Sequence, residues 1–369
     1  MGCMSKSKYE ERYTLSPGSD LVIPLKENSR NFSSCIQYFI QNGTSYLAVK
    51  NDNTNSIGIY NLDNKELSNL IKIQTEGENM LFNMTGFLMF SLDSVYAITS
   101  MPKMIGLVNS YGEVLKKISY DMDINGRHTV PTLAFGRYHA ILKGSTLFLS
   151  QEYRTHSTSG ILTDSVRMTS YICVSVNVNN GECVSSELTY PEELIGKDVS
   201  GMEVTRTIGY DGTFIYHFGI IEALFLTKDH QKFKKVPLET NYYLRFEEIH
   251  FPYIYDMING VKSMLEHDKV YSILYDQYRE IYYIIVRKRE NRFEGESDFM
   301  TKFMYPHSLI IILDKDFKHL GELVLPENQY SCQMVFVAPE GLYISDDHPN
   351  NPDFDEDFMR FRLFKLTKL

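Results

Sequence analysis

The chain has 369 residues, 43% hydrophobic and 13% aromatic, and a formal net charge of −10. That apolar content supports a large core and excludes global disorder. Basic residues cluster only briefly, at Lys232, Lys234 and Lys235 and at Arg287, Lys288, Arg289 and Arg292. The basic stripe of a nucleic-acid binder is therefore missing.

At the N-terminus, Met1 to Ser7 lacks the apolar region of a signal peptide, and no run approaches the roughly 18 apolar residues of a membrane helix. The Gly2-Cys3 pair, followed by a polar, Lys-containing stretch, resembles the start of a mature bacterial lipoprotein with Cys3 as the lipidated residue. An ordinary start with an incidental cysteine is the alternative. The myristoylation pattern fails at Lys6, where it requires Ser or Thr. Residues 1–12 read as a flexible tether and 13–369 as one domain, because no Ser-rich or Pro-rich linker divides the chain. Membrane contact is expected only through the lipid, and the domain is expected to be a monomer.

The strand pattern begins with Leu21-Val22-Ile23-Pro24-Leu25, which has no local partner. Residues 34–40 then lead through Asn42-Gly43 into 46–49, and the far end repeats this as 331–337, a turn at 339–341, and 342–345. The second strand of the unit recurs at 95–98, 147–150, 214–218 and 282–286, giving six copies. Their mean spacing is about 60 residues, a repeat-fold signature with insertions.

A further hairpin follows each copy, turning at Asp63-Asn64, Tyr111-Gly112, Asn180-Gly181, Asp229-His230 and Asp316-Phe317. Asn, Asp and Gly tolerate the positive φ that tight turns need. Each repeat is thus four strands, A to D, and the fold class is all-β: a six-bladed β-propeller. The last copy ends after its third strand, at 361–366, so residues 21–25 are expected to supply its fourth. Closing the ring in this way removes unpaired edges.

Side chains between blades are expected to be Tyr and Phe, which number 26 and 22 against no Trp. No C-x-x-C is present, and a two-residue turn at Asn180-Gly181 would set Cys183 opposite Val178 rather than Cys173. Cys35, Cys173, Cys183 and Cys332 therefore read as buried small hydrophobes.

Insertions fall in the B–C connections, at 151–168, 288–307 and 346–359, and in the D–A connections at 121–130 and 239–262. Both kinds emerge on one face of the disc, where binding residues are expected. Arg127, His128, Tyr153, Arg154, His156 and Arg167 give part of that face a cationic, hydrogen-bonding character suited to an anion or sugar; unrelated surface residues are the plainer alternative. Asp346, Asp347, Asp353 and Asp355, with His348, Glu356 and Asp357, make another part acidic. Those four aspartates are candidate calcium ligands, but their spacing fits no EF-hand, and a solvated loop without cofactor is the favoured reading. No serine-hydrolase elbow, zinc pair, P-loop or dinucleotide fingerprint occurs.

The combination of Gly2-Cys3, Asn31-Phe32-Ser33-Ser34-Cys35-Ile36-Gln37-Tyr38-Phe39 and Leu92-Asp93-Ser94-Val95-Tyr96 resembles a Bacteroides-type family of lipoprotein-like six-bladed propellers, a domain of unknown function (family 4221). The resemblance implies export and attachment to an envelope membrane, facing the periplasm or the cell surface. It supplies no catalytic residues. The leading expectation is a non-catalytic binding or scaffold module that engages a small molecule, glycan or protein through the elaborated face. The alternative is a metal-dependent hydrolase or lactonase with its site at the mouth of the central channel. That chemistry requires three or more convergent carboxylate, Asn or His side chains at one opening.

Overall fold

Runs of β-branched and aromatic residues form strands, and their burial depends on position within each blade. In the fifth repeat, Ile281–Arg287 and Ser308–Asp314 are buried along almost their whole length. Both faces of such middle strands are covered by neighbouring blades. The outer strand Glu66–Lys72 instead alternates between exposed and covered positions.

A computed structural model describes residues 12–26, 29–51, 53–131, 134, 139–152, 161–199, 202, 204–248, 257–290, 293 and 295–369. Among them the strands form six four-stranded antiparallel sheets arranged as propeller blades. The chain opens with β1 (Tyr13–Pro24). Blade one holds β2 (Ile36–Gln41), β3 (Thr44–Asn51), β4 (Ser56–Asn61) and β5 (Glu66–Lys72). Blade two holds β6 (Met84–Ser91), β7 (Ser94–Ser100), β8 (Lys103–Asn109) and β9 (Val114–Ser119). Blade three holds β10 (Ile141–Lys143), β11 (Thr146–Ser150), β12 (Cys173–Asn177) and β13 (Cys183–Ser185). Blade four holds β14 (Val204–Ile208), β15 (Phe214–Phe218), β16 (Ala223–Thr227) and β17 (Lys234–Pro237). Blade five holds β18 (Lys269–Asp276), β19 (Ile281–Arg287), β20 (Ser308–Asp314) and β21 (His319–Val324). Blade six holds β22 (Ser331–Ala338), β23 (Gly341–Ser345) and β24 (Phe358–Lys368), and β1 is its outermost strand.

The closing pair runs from Tyr13 opposite Lys368 to Pro24 opposite Phe358, with Leu21 opposite Phe361. The N-terminal strand therefore closes the ring as the sequence predicts, but it begins at Tyr13 rather than Leu21. Its register shifts by one residue between Pro17 and Asp20. A one-residue bulge moves all following side chains to the opposite face. Leu15 accordingly packs toward blade five, whereas Leu21 and Ile23 pack toward blade one. One strand thus seals two interfaces.

Hydrophobic clusters fill each gap between adjacent blades around the ring. Tyr and Phe dominate several of them, including the stack of Tyr282 on Phe317 at 4.9 Å. The C–D turns share one device. The last residue of strand C, at Asn61, Asn109, Asn177, Thr227 or Asp314, accepts a backbone N–H of the turn through its side-chain oxygen. The turn after Asn177 spans residues 178–181, with the Asn177 N–H donating to the Glu182 carbonyl at 2.8 Å. Cys183 consequently pairs with Val176, not Val178. Cys35, Cys173, Cys183 and Cys332 are free and buried.

Three short helices break the insertions that the sequence presents as loops: α1 (Asp164–Thr169), α2 (Met257–Leu265) and α3 (Glu296–Met304). All lie in B–C or D–A connections, on the elaborated face. No helix of the described residues is long and apolar enough to cross a membrane.

Candidate functional site in the central channel

Strand A of each blade is the innermost, and its inner edge has no neighbouring strand. Unpaired backbone groups are costly to bury, and side chains from adjacent blades satisfy several here. The Gln37 amide accepts from the Met89 N–H at 2.8 Å and donates to the Met89 carbonyl at 3.3 Å. Gln41 accepts from the Leu92 N–H at 2.8 Å. Arg279, paired with Asp276 at 2.8 Å, donates to the carbonyls of Ala338 and Pro339 at 3.3 and 2.6 Å. Gln333 donates instead to the Met304 carbonyl at the end of α3.

Inside this ring lies a cavity of about 380 Å³ to which all six blades contribute. Its wall is chemically two-sided. Blades four and five present Thr207, Ser272, Tyr275, Gln277 and Tyr278. The side-chain hydroxyls and amide of these five make no hydrogen bond to another described residue. Blades one, two and six present Ile36, Phe87, Leu88, Val335 and Val337. The polar groups on that side are already engaged, as with Gln37, Gln333 and Tyr38, whose hydroxyl lies 3.0 Å from Ser45 Oγ. Burial pushes the Tyr275 phenol above its usual value and that of Tyr38 up to about 12, so both stay neutral hydroxyls at ordinary pH. Asp, Glu, Lys and Arg are missing from the described lining, whose one imidazole is that of His139.

Tyr278 and Tyr210 stand in the A–B turns at one mouth, 39% and 61% exposed. The Tyr210 ring lies 6.4 Å from that of Tyr275, and Tyr275 lies 5.0 Å from Tyr282. An aromatic series thus leads from solvent to the wall between blades four and five. Sequence alone does not single out these residues, since they come from turns and inner strands with no shared local motif.

On the opposite face, Arg127 and Arg167 line one open groove of about 440 Å³ with Met168, Tyr171 and Glu187. Each guanidinium is already committed. Arg127 Nε lies 2.7 Å from Asp123, with its guanidinium 4.4 Å above the Tyr171 ring. Arg167 pairs with Asp164 at 3.0 Å and donates to Thr189 Oγ1 at 3.1 Å. His128 does not line the groove; its Nδ1 faces Asp121 at 3.5 Å. Tyr153, Arg154, His156 and Cys3 lie outside the described residues.

The four candidate metal ligands separate. Asp346 and Asp347 are buried at the start of the B–C connection of blade six, while Asp353 and Asp355 are exposed further along it. Asp346 sits 3.7 and 3.8 Å from the guanidiniums of Arg360 and Arg362, and Arg362 also meets Asp20 at 2.5 Å. Asp347 accepts from the Arg360 N–H at 2.8 Å, and burial raises its carboxyl to about 7. Asp355 accepts from the Asp357 N–H at 3.0 Å, capping its own turn. Among the described residues no group of three or more His, Cys, Asp or Glu side chains is placed to hold a metal ion. The guanidiniums of Arg360 and Arg362 face the Asp346 carboxylate.

The fold has counterparts of known structure. A member of the DUF4221 family from Bacteroides vulgatus ATCC 8482 superposes with a TM-score of 0.87 at 24% identity, over 98% of this chain and 100% of the other. A protein of Bacteroides fragilis NCTC 9343, named for its inferred export, superposes with a TM-score of 0.54 at 10% identity, over 97% and 95% of the two chains. No functionally curated protein matches. The family model described as "Domain of unknown function (DUF4221)" matches residues 12–323. The chain belongs to the DUF4221 family.

Proposed function

We propose that the protein is a non-catalytic binding module of the bacterial cell envelope whose small-molecule ligand seats in the central channel. The observation that carries this is the wall of uncommitted hydroxyl and amide groups on blades four and five, facing an apolar wall across one cavity. Pockets of a few hundred cubic ångströms with few polar groups on a mainly apolar surround are the common form of small-molecule sites. The elaborated face, expected from sequence to bind, offers grooves whose charges are largely engaged internally. Arg127, Arg167, Lys197 and Arg245 each meet a nearby carboxylate at 3.0 Å or less. A ligand there would have to displace those contacts.

The envelope assignment is supported by Gly2-Cys3, with Cys3 the proposed lipid attachment point on a tether of residues 1–12. The name of the Bacteroides fragilis relative agrees with it. Gln277 is exposed in an A–B turn, so Gln277→Trp should fill the channel mouth without disturbing the core. Ligands found by thermal shift on the wild-type chain should lose their effect in Gln277→Trp, and chelators should leave the melting temperature unchanged. Shifts that persist in the variant would place the ligand elsewhere.

A further inference from the structure

Resting on that channel reading, we infer that the ligand is an uncharged saccharide, held with its hydroxyl edge on blades four and five and a C–H face on blades one, two and six. The charge state follows from the lining. Thr207, Ser272, Tyr275, Gln277 and Tyr278 can each donate and accept, yet none offers a formal charge. Apart from the His139 imidazole, the described lining has no Asp, Glu, Lys or Arg to offset the hydration that a buried carboxylate, phosphate or ammonium would lose, which is unfavourable.

The hydroxyl edge follows from the number of polar groups waiting on one wall. A flat aromatic or aliphatic ligand would cover these groups without pairing them, and each buried unpaired group costs about 1–3 kcal/mol. Vicinal hydroxyls that both donate and accept match neighbouring hydroxyls and an amide that do the same. The second wall presents the hydrocarbon of Ile36, Phe87, Leu88, Val335 and Val337, and its polar side chains Gln37, Tyr38 and Gln333 are engaged within the protein. A pyranose ring has that division, with hydroxyls at its rim and C–H bonds on its faces. Tyr210 and Tyr278 at the mouth supply aromatic surface for a sugar unit extending outward.

Isothermal titration of the full chain with maltose, cellobiose and lactose tests the assignment, with glucuronate, glucosamine and resorcinol as contrasting probes. At least one neutral disaccharide should bind, and the charged sugars and resorcinol should not. Tyr275→Phe should weaken that binding about tenfold, the effect of removing a hydrogen-bonding partner, and Gln277→Ala, at the exposed mouth, should weaken it less. Phe90→Ala, an exposed change outside the channel lining, should leave it unaltered.

If a charged sugar or resorcinol binds and no neutral sugar does, with binding lost in Gln277→Trp, the saccharide assignment fails and the channel reading stands. The outcome is the same if no sugar binds at millimolar concentration while other small molecules bind in a Gln277→Trp-sensitive way. Sugar binding indifferent to Gln277→Trp overturns both.

Discussion

Arg206 shows how a single residue ties blades together at a cost. It is fully buried on β14, and its guanidinium has only neutral partners: the carbonyls of Phe148 and His139 at 2.8 and 3.3 Å, Cys173 Sγ at 3.4 Å and the Tyr216 hydroxyl at 3.5 Å. Phe148 belongs to blade three, so the side chain spans an interface. Arg206→Ala would leave those acceptors unpaired around a void and should destabilise the fold by about 3–5 kcal/mol. Urea unfolding would register this as a lower midpoint; an unchanged midpoint would contradict the role.

Asp347 carries a pH dependence. Its carboxyl rises from 3.8 to about 7 because burial disfavours the anion. A raised carboxyl contributes stability that is fully present below pH 3.8 and is lost as pH rises through 7. Asp347→Asn keeps an acceptor for the Arg360 N–H and cannot ionise. The variant should match wild type near pH 3.5 and melt at a higher temperature at pH 8. Parallel melting curves across that range would rule the mechanism out.

Among the elements, β1 bears the greatest architectural consequence. Its neighbour across the blade five interface is β21, where a Cβ on Gly321 would come within 1.8 Å of the Tyr13 carbonyl oxygen. Gly321→Ala must therefore push β1 away from blade five, at about 1–3 kcal/mol for an overpacked contact. Faster amide hydrogen exchange across residues 13–17 and 364–368 is the expected signature. Exchange rates like those of wild type would show that the closing strand is not constrained there.

The strands were legible at this scale because middle strands are covered on both faces and spell continuous apolar runs. The closing strand was legible because 21–25 had no local partner. Its first half was not: Pro17 and Gly18 interrupt the pattern, and the bulge between Pro17 and Asp20 turns Leu15 toward a different interface from Leu21 and Ile23. The recurring oxygen-bearing residue at the end of strand C, at Asn61, Asn109, Asn177, Thr227 and Asp314, was a repeat marker the sequence carried openly. It would have placed the turn after Asn177 correctly. The helices stayed hidden because each has only six to nine residues.

Across the whole molecule, the channel could not be read from any local stretch. Its wall draws on residues from Ser34 to Val337, brought together only by ring closure. The charged loop residues stood out in the sequence because charge is visible without geometry, but folding pairs Arg127, Arg167 and Asp346 with partners nearby. The uncommitted Tyr, Ser, Thr and Gln side chains of blades four and five look ordinary in sequence. Their distinction is positional.

A crystal of the full chain soaked with the saccharide that binds most tightly provides the decisive view. Ligand density is expected inside the ring, with hydroxyls within hydrogen-bond distance of Tyr275 and Gln277 and ring carbons against Val335 and Val337. Density confined to the groove between Arg127 and Arg167, or to the acidic segment after Asp346, would contradict it.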